Sequence, residues 1–366
     1  MMVGLLIAGI WGCGGDEPQP AGDLADIPYE PQAYLLPELP YFFPDLSVPA
    51  DNPLTVDGVE LGRYLFYDPI LSVDSTLSCA GCHRQELGFT DGLALSEGVG
   101  QTIGIRNAKP LANVGFFEKG LFWDGRVQTL EELALHPIED PLEMKNTLEN
   151  LIADLQVHPE YPAMFRKAFG IADREEISAP LIAKALGQFT RTLVSFNAKY
   201  DYANWDRGPE TQFFSPSELR GQKLFNREPI DPDEPHPGCS HCHVGPLVST
   251  NEYANNGLDE ALEPVDFPDP GLGGITGKPS DFGKFRVPSL RNVALTAPYM
   301  HDGRFATLEE VLDHYSSGGH YADNLDANIF PFSLTAQERE DLLSFLHTLT
   351  DTVFVQEPAY GNPFSE

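Results

Sequence analysis

The chain is poor in positive charge, in long apolar runs and in strand signals, and each shortage excludes something. Lys and Arg number 23 against 55 Asp and Glu, giving a formal net charge of -32 and a pI of about 4.5. Such a surface repels nucleic acid and anionic lipid, so neither is expected as a partner. It suits a basic partner, or solubility in salty water. No stretch reaches the ~18 apolar residues of a membrane-spanning helix. Sparse strand signals argue against an all-β or α/β fold. What remains is globular: 366 residues, 42% of them apolar and 11% aromatic, are enough for two domains with real cores. The 32 prolines and 33 glycines predict long ordered loops.

Cysteine is scarce too, and its placement is informative. Of five cysteines, Cys13 stands alone and the rest form two pairs, each followed at once by histidine: CAGCH at 79–83 and CSHCH at 239–243. As zinc sites the pairs would have to converge across a long stretch, and the histidines would be unexplained. As disulfides they would close tight rings of the kind redox enzymes use. As haem attachment sites they use every residue. Cys79 and Cys82, like Cys239 and Cys242, bind the haem vinyl groups as thioethers, and His83 and His243 lie under the iron as proximal ligands. Two covalently bound haem c groups are therefore expected.

Cys13 closes a short apolar stretch, MMVGLLIAGIWGC, that looks like a bacterial lipoprotein signal with Cys13 as the lipidated residue. The plainer reading is a secretory signal with a chance cysteine. Either way export is expected, and any membrane association is through a lipid anchor. Residues 1–22 are read as the signal and start of a tether, and 23–50 as the rest of that Pro-rich acidic tether.

The chain repeats itself. VELGRYLFYDPILS, CAGCH, IRNAKPLANV and WDGRVQTLEEL precede SELRGQKLFNREP, CSHCH, FRVPSLRNV and MHDGRFATLEEV in the same order. A repeat of this length means two related domains, divided where DYANWDRGPETQFFSPSE breaks the helical pattern. The expected organisation is an N-terminal haem domain at 51–208, a C-terminal one at 209–352 and a tail at 353–366. Apolar spacing and caps predict helices over 56–67, 129–136, 145–156, 178–196 and 335–349, with capping boxes at Thr129/Glu132, Thr307/Glu310 and Thr335/Glu338. The fold class is mostly α: two cytochrome c-like haem domains related by an internal repeat, with long loops.

LSCAGCH, GFTDG, IRNAKPLANV, FWDGR, HPIEDPLEM, LRNVALTAPYMHDG and TLEEV resemble the bacterial di-haem cytochrome c peroxidases and their relative MauG, which oxidises a partner protein. The resemblance runs from about 50 to 350. It implies a periplasmic protein in which one haem reduces hydrogen peroxide and the other accepts and passes on electrons. It makes Glu143 the distal acid-base group, Pro137 a wall of the same pocket, and Trp123 the relay between the haems. It makes Asn107, Thr296 and Pro298 ligands of one calcium ion, through oxygens that suit that ion.

Three departures bear on mechanism. Leu133 replaces a glutamine that faces the open iron in much of the family. Val99 stands where many members carry a distal histidine, and the loop 93–105 holds no other ligand. The first iron is therefore expected to be open without reductive activation. Tyr315 matches the distal methionine of the second haem, as in MauG; a hard phenolic ligand lowers the potential relative to thioether. His314, Met300 and no protein ligand at all are the alternatives there. His136, His158, His236, His320 and His347 have no motif to recruit them.

The leading functional expectation is a di-haem peroxidase (hydrogen peroxide, two electrons and two protons giving two waters) supplied by a small cytochrome c or cupredoxin. The second is a MauG-like enzyme that spends its oxidising equivalents on a partner protein. The third, a non-enzymatic electron carrier, predicts two six-coordinate haems and no peroxide reaction. Expected placement is the periplasm, anchored by lipid, with the oligomer left open between monomer and homodimer.

Overall fold

The computed structural model describes residues 22–205, 212–226 and 236–365. The lipidation expected at Cys13 lies outside them. Among the described residues the fold is helical, with segments α1 Val56–Tyr67, α2 Cys79–Cys82, α3 Leu130–Glu139, α4 Leu148–Val157, α5 Tyr161–Phe169, α6 Ala179–Thr192, α7 Lys199–Trp205, α8 Pro216–Phe225, α9 Gly273–Thr276, α10 Leu308–Ser317 and α11 Ala336–His347. The one sheet described is a two-stranded antiparallel ribbon, β1 Tyr253–Ala254 on β2 Phe285–Arg286, with Tyr253 opposite Arg286. No described helix is long and apolar enough to cross a membrane.

The helix starts follow the caps. Thr129, Thr307 and Thr335 each form a capping box with the glutamate three residues on, opening α3, α10 and α11. The expected 178–196 helix stops early, at Thr192. There the Thr190 and Thr192 hydroxyls donate back to the Leu186 and Phe189 carbonyls, and the Ser195 backbone instead exchanges two hydrogen bonds with the Asn113 side chain. Side-chain bonds of this kind compete with the helical ladder. Pro137 sits inside α3, where it offers no N–H to the Leu133 carbonyl.

Two helix pairs frame the molecule. Residues of α1 and α6 share one apolar core with Leu61, Leu65, Phe66, Leu186 and Phe189. Residues of α8 and α11 share a second with Phe225, Leu342, Phe345 and Leu346. Each pair meets at a glycine. A Cβ on Gly62 would lie 2.0 Å from the Ala185 carbonyl oxygen and 2.8 Å from Phe189 Cβ; on Gly221 it would lie 2.0 Å from the Asp341 carbonyl oxygen and 2.8 Å from Phe345 Cβ. Helix backbones this close leave no room for a methyl group. Gly62→Ala and Gly221→Ala are each expected to destabilise the protein by roughly 1–3 kcal/mol or more, read as a lower urea midpoint at unchanged slope.

Two segments depart from expectation. Residues 23–50, read from composition as a tether, lie against the body as far as they are described. Leu24 joins the first core and Phe43 packs edge-on against Phe116 and Phe196. Their apolar side chains outweigh the disordering effect of the surrounding prolines and acids. The tail is not free either. Phe354 and Tyr360 are buried in the first core, Arg63 donates to the Gly361 carbonyl and Tyr67 to the Tyr360 carbonyl. The C-terminus thus closes over the N-terminal half.

Candidate functional site

Each CxxCH segment is a tight turn that carries its side chains to a cavity. Cys79–Cys82 forms one helical turn, and the His83 N–H donates to the Cys79 carbonyl at 2.9 Å. Cys239–His241 forms a 3₁₀ turn, and the His243 N–H donates to the Cys239 carbonyl at 2.9 Å. Cys79, Cys82 and His83 line one cavity of about 1730 Å³, its open mouth included; Cys239, Cys242 and His243 line another of about 1540 Å³. The two pairs therefore do not converge on a shared zinc site.

The side chains fit covalently held haem. All four thiols are free. Burial pushes Cys79 and Cys239 up to about 12, and Cys82 and Cys242 up to about 11. His83 Nδ1 is 2.8 Å from the Phe89 carbonyl oxygen, and His243 Nδ1 is 3.3 Å from that of Val248. A ring held at Nδ1 by a carbonyl keeps its Nε2 as the ligating nitrogen. Burial holds both imidazoles below their ordinary range, His243 down to about 4, so both are neutral and able to ligate. Apolar walls complete the fit: Phe66, Leu77 and Leu121 in the first cavity, Phe225, Leu312 and Phe332 in the second.

The first cavity also carries Glu143, Pro137, Leu133 and Arg126. The turn after α3 sets Glu143: its N–H donates to the Asp140 carbonyl at 3.1 Å, and its carbonyl accepts from the Val99 N–H at 2.8 Å. Burial first, then Asp140, pushes the Glu143 carboxyl up to about 7, while Arg126 opposes them. Val99 itself is buried at 7% exposure, and the neighbouring Glu97 and Gly98 line the cavity in its place. His136, which no motif recruits, also lines this cavity. Its place on α3, one residue before Pro137 and three after Leu133, is the signal that could have found it, because all three fall on one helix face.

The second cavity is lined by Tyr315 and by Met300. Asn256 Nδ2 reaches both, at 3.3 Å to Tyr315 Oη and 3.5 Å to Met300 Sδ. Burial pushes the Tyr315 phenol up to about 12. His314 is placed differently: its Nε2 lies 2.9 Å from the Asn256 carbonyl oxygen. Asn107, Thr296 and Pro298 all line this cavity. The Asn107 side-chain amide donates to the Leu93 carbonyl at 2.8 Å.

Four residues line both cavities: Asn107, Pro110, Trp123 and Arg286. Trp123 is 9% exposed. Its indole N–H donates to the Asn107 carbonyl at 2.9 Å, and its own carbonyl accepts from the Arg286 N–H at 2.9 Å. The Lys109 ammonium lies 4.3 Å from the centre of its ring.

The sequence pattern of the di-haem cytochrome c peroxidase family matches residues 56–208. The chain is 34% identical over 334 residues to cytochrome-c peroxidase IdrP1 of Denitromonas iodatirespirans, covering 84% of this chain and 85% of that one. It is 36% identical over 305 residues to methylamine utilization protein MauG of Methylorubrum extorquens, covering 82% and 80%. Among solved structures, a MauG-like protein associated with microbial copper homeostasis is similar with a TM-score of 0.80 at 36% identity, over 89% of this chain and 99% of that one.

Proposed function

The chain belongs to the di-haem cytochrome c peroxidase family, and on that premise we propose that it is a di-haem c-type peroxidase that reduces hydrogen peroxide to water. The observation that carries the reading is the pair of Cys-x-x-Cys-His cavities sharing Trp123, one of which also holds a carboxyl that titrates near neutrality. We assign residues 51–208 to the peroxide-reacting domain and 209–352 to the electron-transfer domain. Bound at Cys79, Cys82 and His83, and at Cys239, Cys242 and His243, the haems supply the iron at which peroxide is split and the store of electrons behind it.

The protein residues supply the rest. Peroxide cleavage needs a proton moved from one oxygen to the other, and Glu143 is the group placed to take it and return it. Leu133 and Pro137 add apolar wall with no hydrogen-bond donor, so Glu143 is the carboxyl left to orient peroxide, with Arg126 and His136 as other polar groups of the cavity. Trp123 is the bridge between the cavities. Its indole N–H donates to the Asn107 carbonyl, which fixes the ring between the two cavities. Tyr315 is the distal group we assign to the second haem. Asn107, Thr296 and Pro298 are assigned to a calcium ion between the domains. The electrons come from a small cytochrome c or cupredoxin, met in the periplasm by a protein tethered through Cys13.

A second reading, oxidation of a partner protein, is favoured by Tyr315 on the second cavity and by the MauG relatives. One experiment serves both. Fully oxidised protein is mixed with one equivalent of peroxide and no reductant, and the visible and near-infrared spectrum is followed. The open first site expected from the loop 93–105 gives an immediate spectral change. A new near-infrared band adds that the two haems share the oxidation and favours the partner-protein reading. A spectrum that moves only after one electron is supplied overturns the open site; no response under either condition leaves an electron carrier.

A further inference from the structure

The wall between the cavities is built around four cations and two carboxylates. Arg106 bridges Asp124 and Asp269, and Arg126 also reaches Asp124. Lys109 and Arg286 are different: among the described residues neither forms an ion pair with a carboxylate. The Lys109 ammonium lies 3.2 Å from the Phe122 carbonyl oxygen and over the Trp123 ring. Arg286, only 2% exposed, donates to Asn251 Oδ1 at 3.1 Å and to the Phe122 carbonyl at 3.3 Å, with its guanidinium 4.3 Å from the centre of the Phe117 ring. A buried cation without a counter-ion is costly, and a second beside it adds repulsion. The nearest carboxylate, Asp124, is already paired with Arg106 and Arg126, and among the described residues no other pairs with Lys109 or Arg286. Lys109 opens onto the first cavity and Arg286 onto both. The missing anions therefore belong to what fills the cavities.

We propose that Lys109 and Arg286 form one anion seat for the propionate carboxylates of both haems, Lys109 receiving those of the first haem and Arg286 those of each. The inference rests on the di-haem reading. A cation beside a haem carboxylate favours the more electron-rich state, so this seat raises the potential of each haem and pins both edges against the Trp123 wall. Lys109 and Arg286 are positioning residues: they act on the haems and leave peroxide to Glu143.

The test uses the haem-loaded full chain. Lys109→Met keeps the apolar stem and removes the charge; Lys109→Arg keeps the charge. The midpoint of each haem is read by spectroelectrochemistry, and the propionate bending modes by resonance Raman. Lys109→Met is expected to lower the first haem's midpoint by about a tenfold change in its reduction equilibrium, ~59 mV for one electron, and to shift its propionate modes. Lys109→Arg restores both, and Arg286→Gln moves both haems. Unmoved midpoints and modes in Lys109→Met overturn the seat. So does a crystal structure of the wild-type holoprotein with its propionates turned to solvent, a measurement that stands even where no variant accumulates. A wild-type chain with fewer than two thioether-bound haems by the haemochrome assay overturns the di-haem reading itself; two haems with unmoved potentials overturn only the seat.

Discussion

Glu143→Gln is expected to slow the reaction with peroxide by roughly 10²- to 10⁴-fold while both haems stay bound. The amide keeps the volume and the backbone hydrogen bonds to Asp140 and Val99, so the cavity keeps its shape. What it loses is a base. Leu133 and Pro137 on the same wall have no proton to offer. His136 lines the same cavity from α3 but is exposed; a residual rate that disappears on adding His136→Gln would show that it substitutes. Stopped-flow mixing with peroxide, with haem content measured on the same sample, separates lost chemistry from lost cofactor. An unchanged rate would remove Glu143 from the proton path.

The same group sets a pH dependence. Burial raises the Glu143 carboxyl from 4.5 to about 7. A raised acid keeps its proton in the folded state and is neutral below that value, so the base form is depleted in acid. The peroxide rate is therefore expected to rise with pH and level off above about 7, and Glu143→Gln removes this limb. The sign for stability is opposite. The unfolded chain gives up the proton from 4.5 upward while the folded one holds it, so this residue's contribution to stability falls as pH rises from 4.5 to about 7. Activity and stability thus move in opposite directions across one window.

Local signals were legible in the sequence. The CxxCH turns and the Thr-x-x-Glu capping boxes depend on residues within one turn of each other, and the helices begin where those residues stand. Signals that depend on distant chain meeting distant chain were not. Composition marks 23–50 as a tether, yet Phe43 finds Phe116 and Phe196. Lys109 reads as an ordinary loop lysine until the fold lays it on Trp123 beside Arg286. His136 has no motif, but α3 turns it to the cavity along with Leu133 and Pro137. Val99 is a mixed case. Its identity says that the loop brings no histidine, while the wall itself is made by Glu97 and Gly98. At the second cavity, sequence ranks Tyr315 above Met300, and the fold sets both within reach of Asn256.

Removing the cysteines of one motif at a time is expected to divide the activity. Cys79→Ala/Cys82→Ala should halve the haem content and bring peroxide consumption to background, because the cavity that holds Glu143 then has no attached haem. Cys239→Ala/Cys242→Ala should also halve the haem content, but with a different loss. The first cavity keeps Glu143, His83 and both its cysteines, so a single reaction with peroxide survives, and steady-state turnover with an electron donor stops. The asymmetry follows from what the two cavities contain: the first has the titrating carboxyl, and the second has Tyr315 and Met300, with no Asp or Glu among its described lining residues apart from Asp326. Haem per chain is read by mass spectrometry, and stopped-flow is compared with steady-state rates. Both variants should be less stable than wild type, since each empties a cavity with apolar walls. Loss of the single-turnover reaction in the second variant, with the first haem still attached, would reverse the assignment of the two domains.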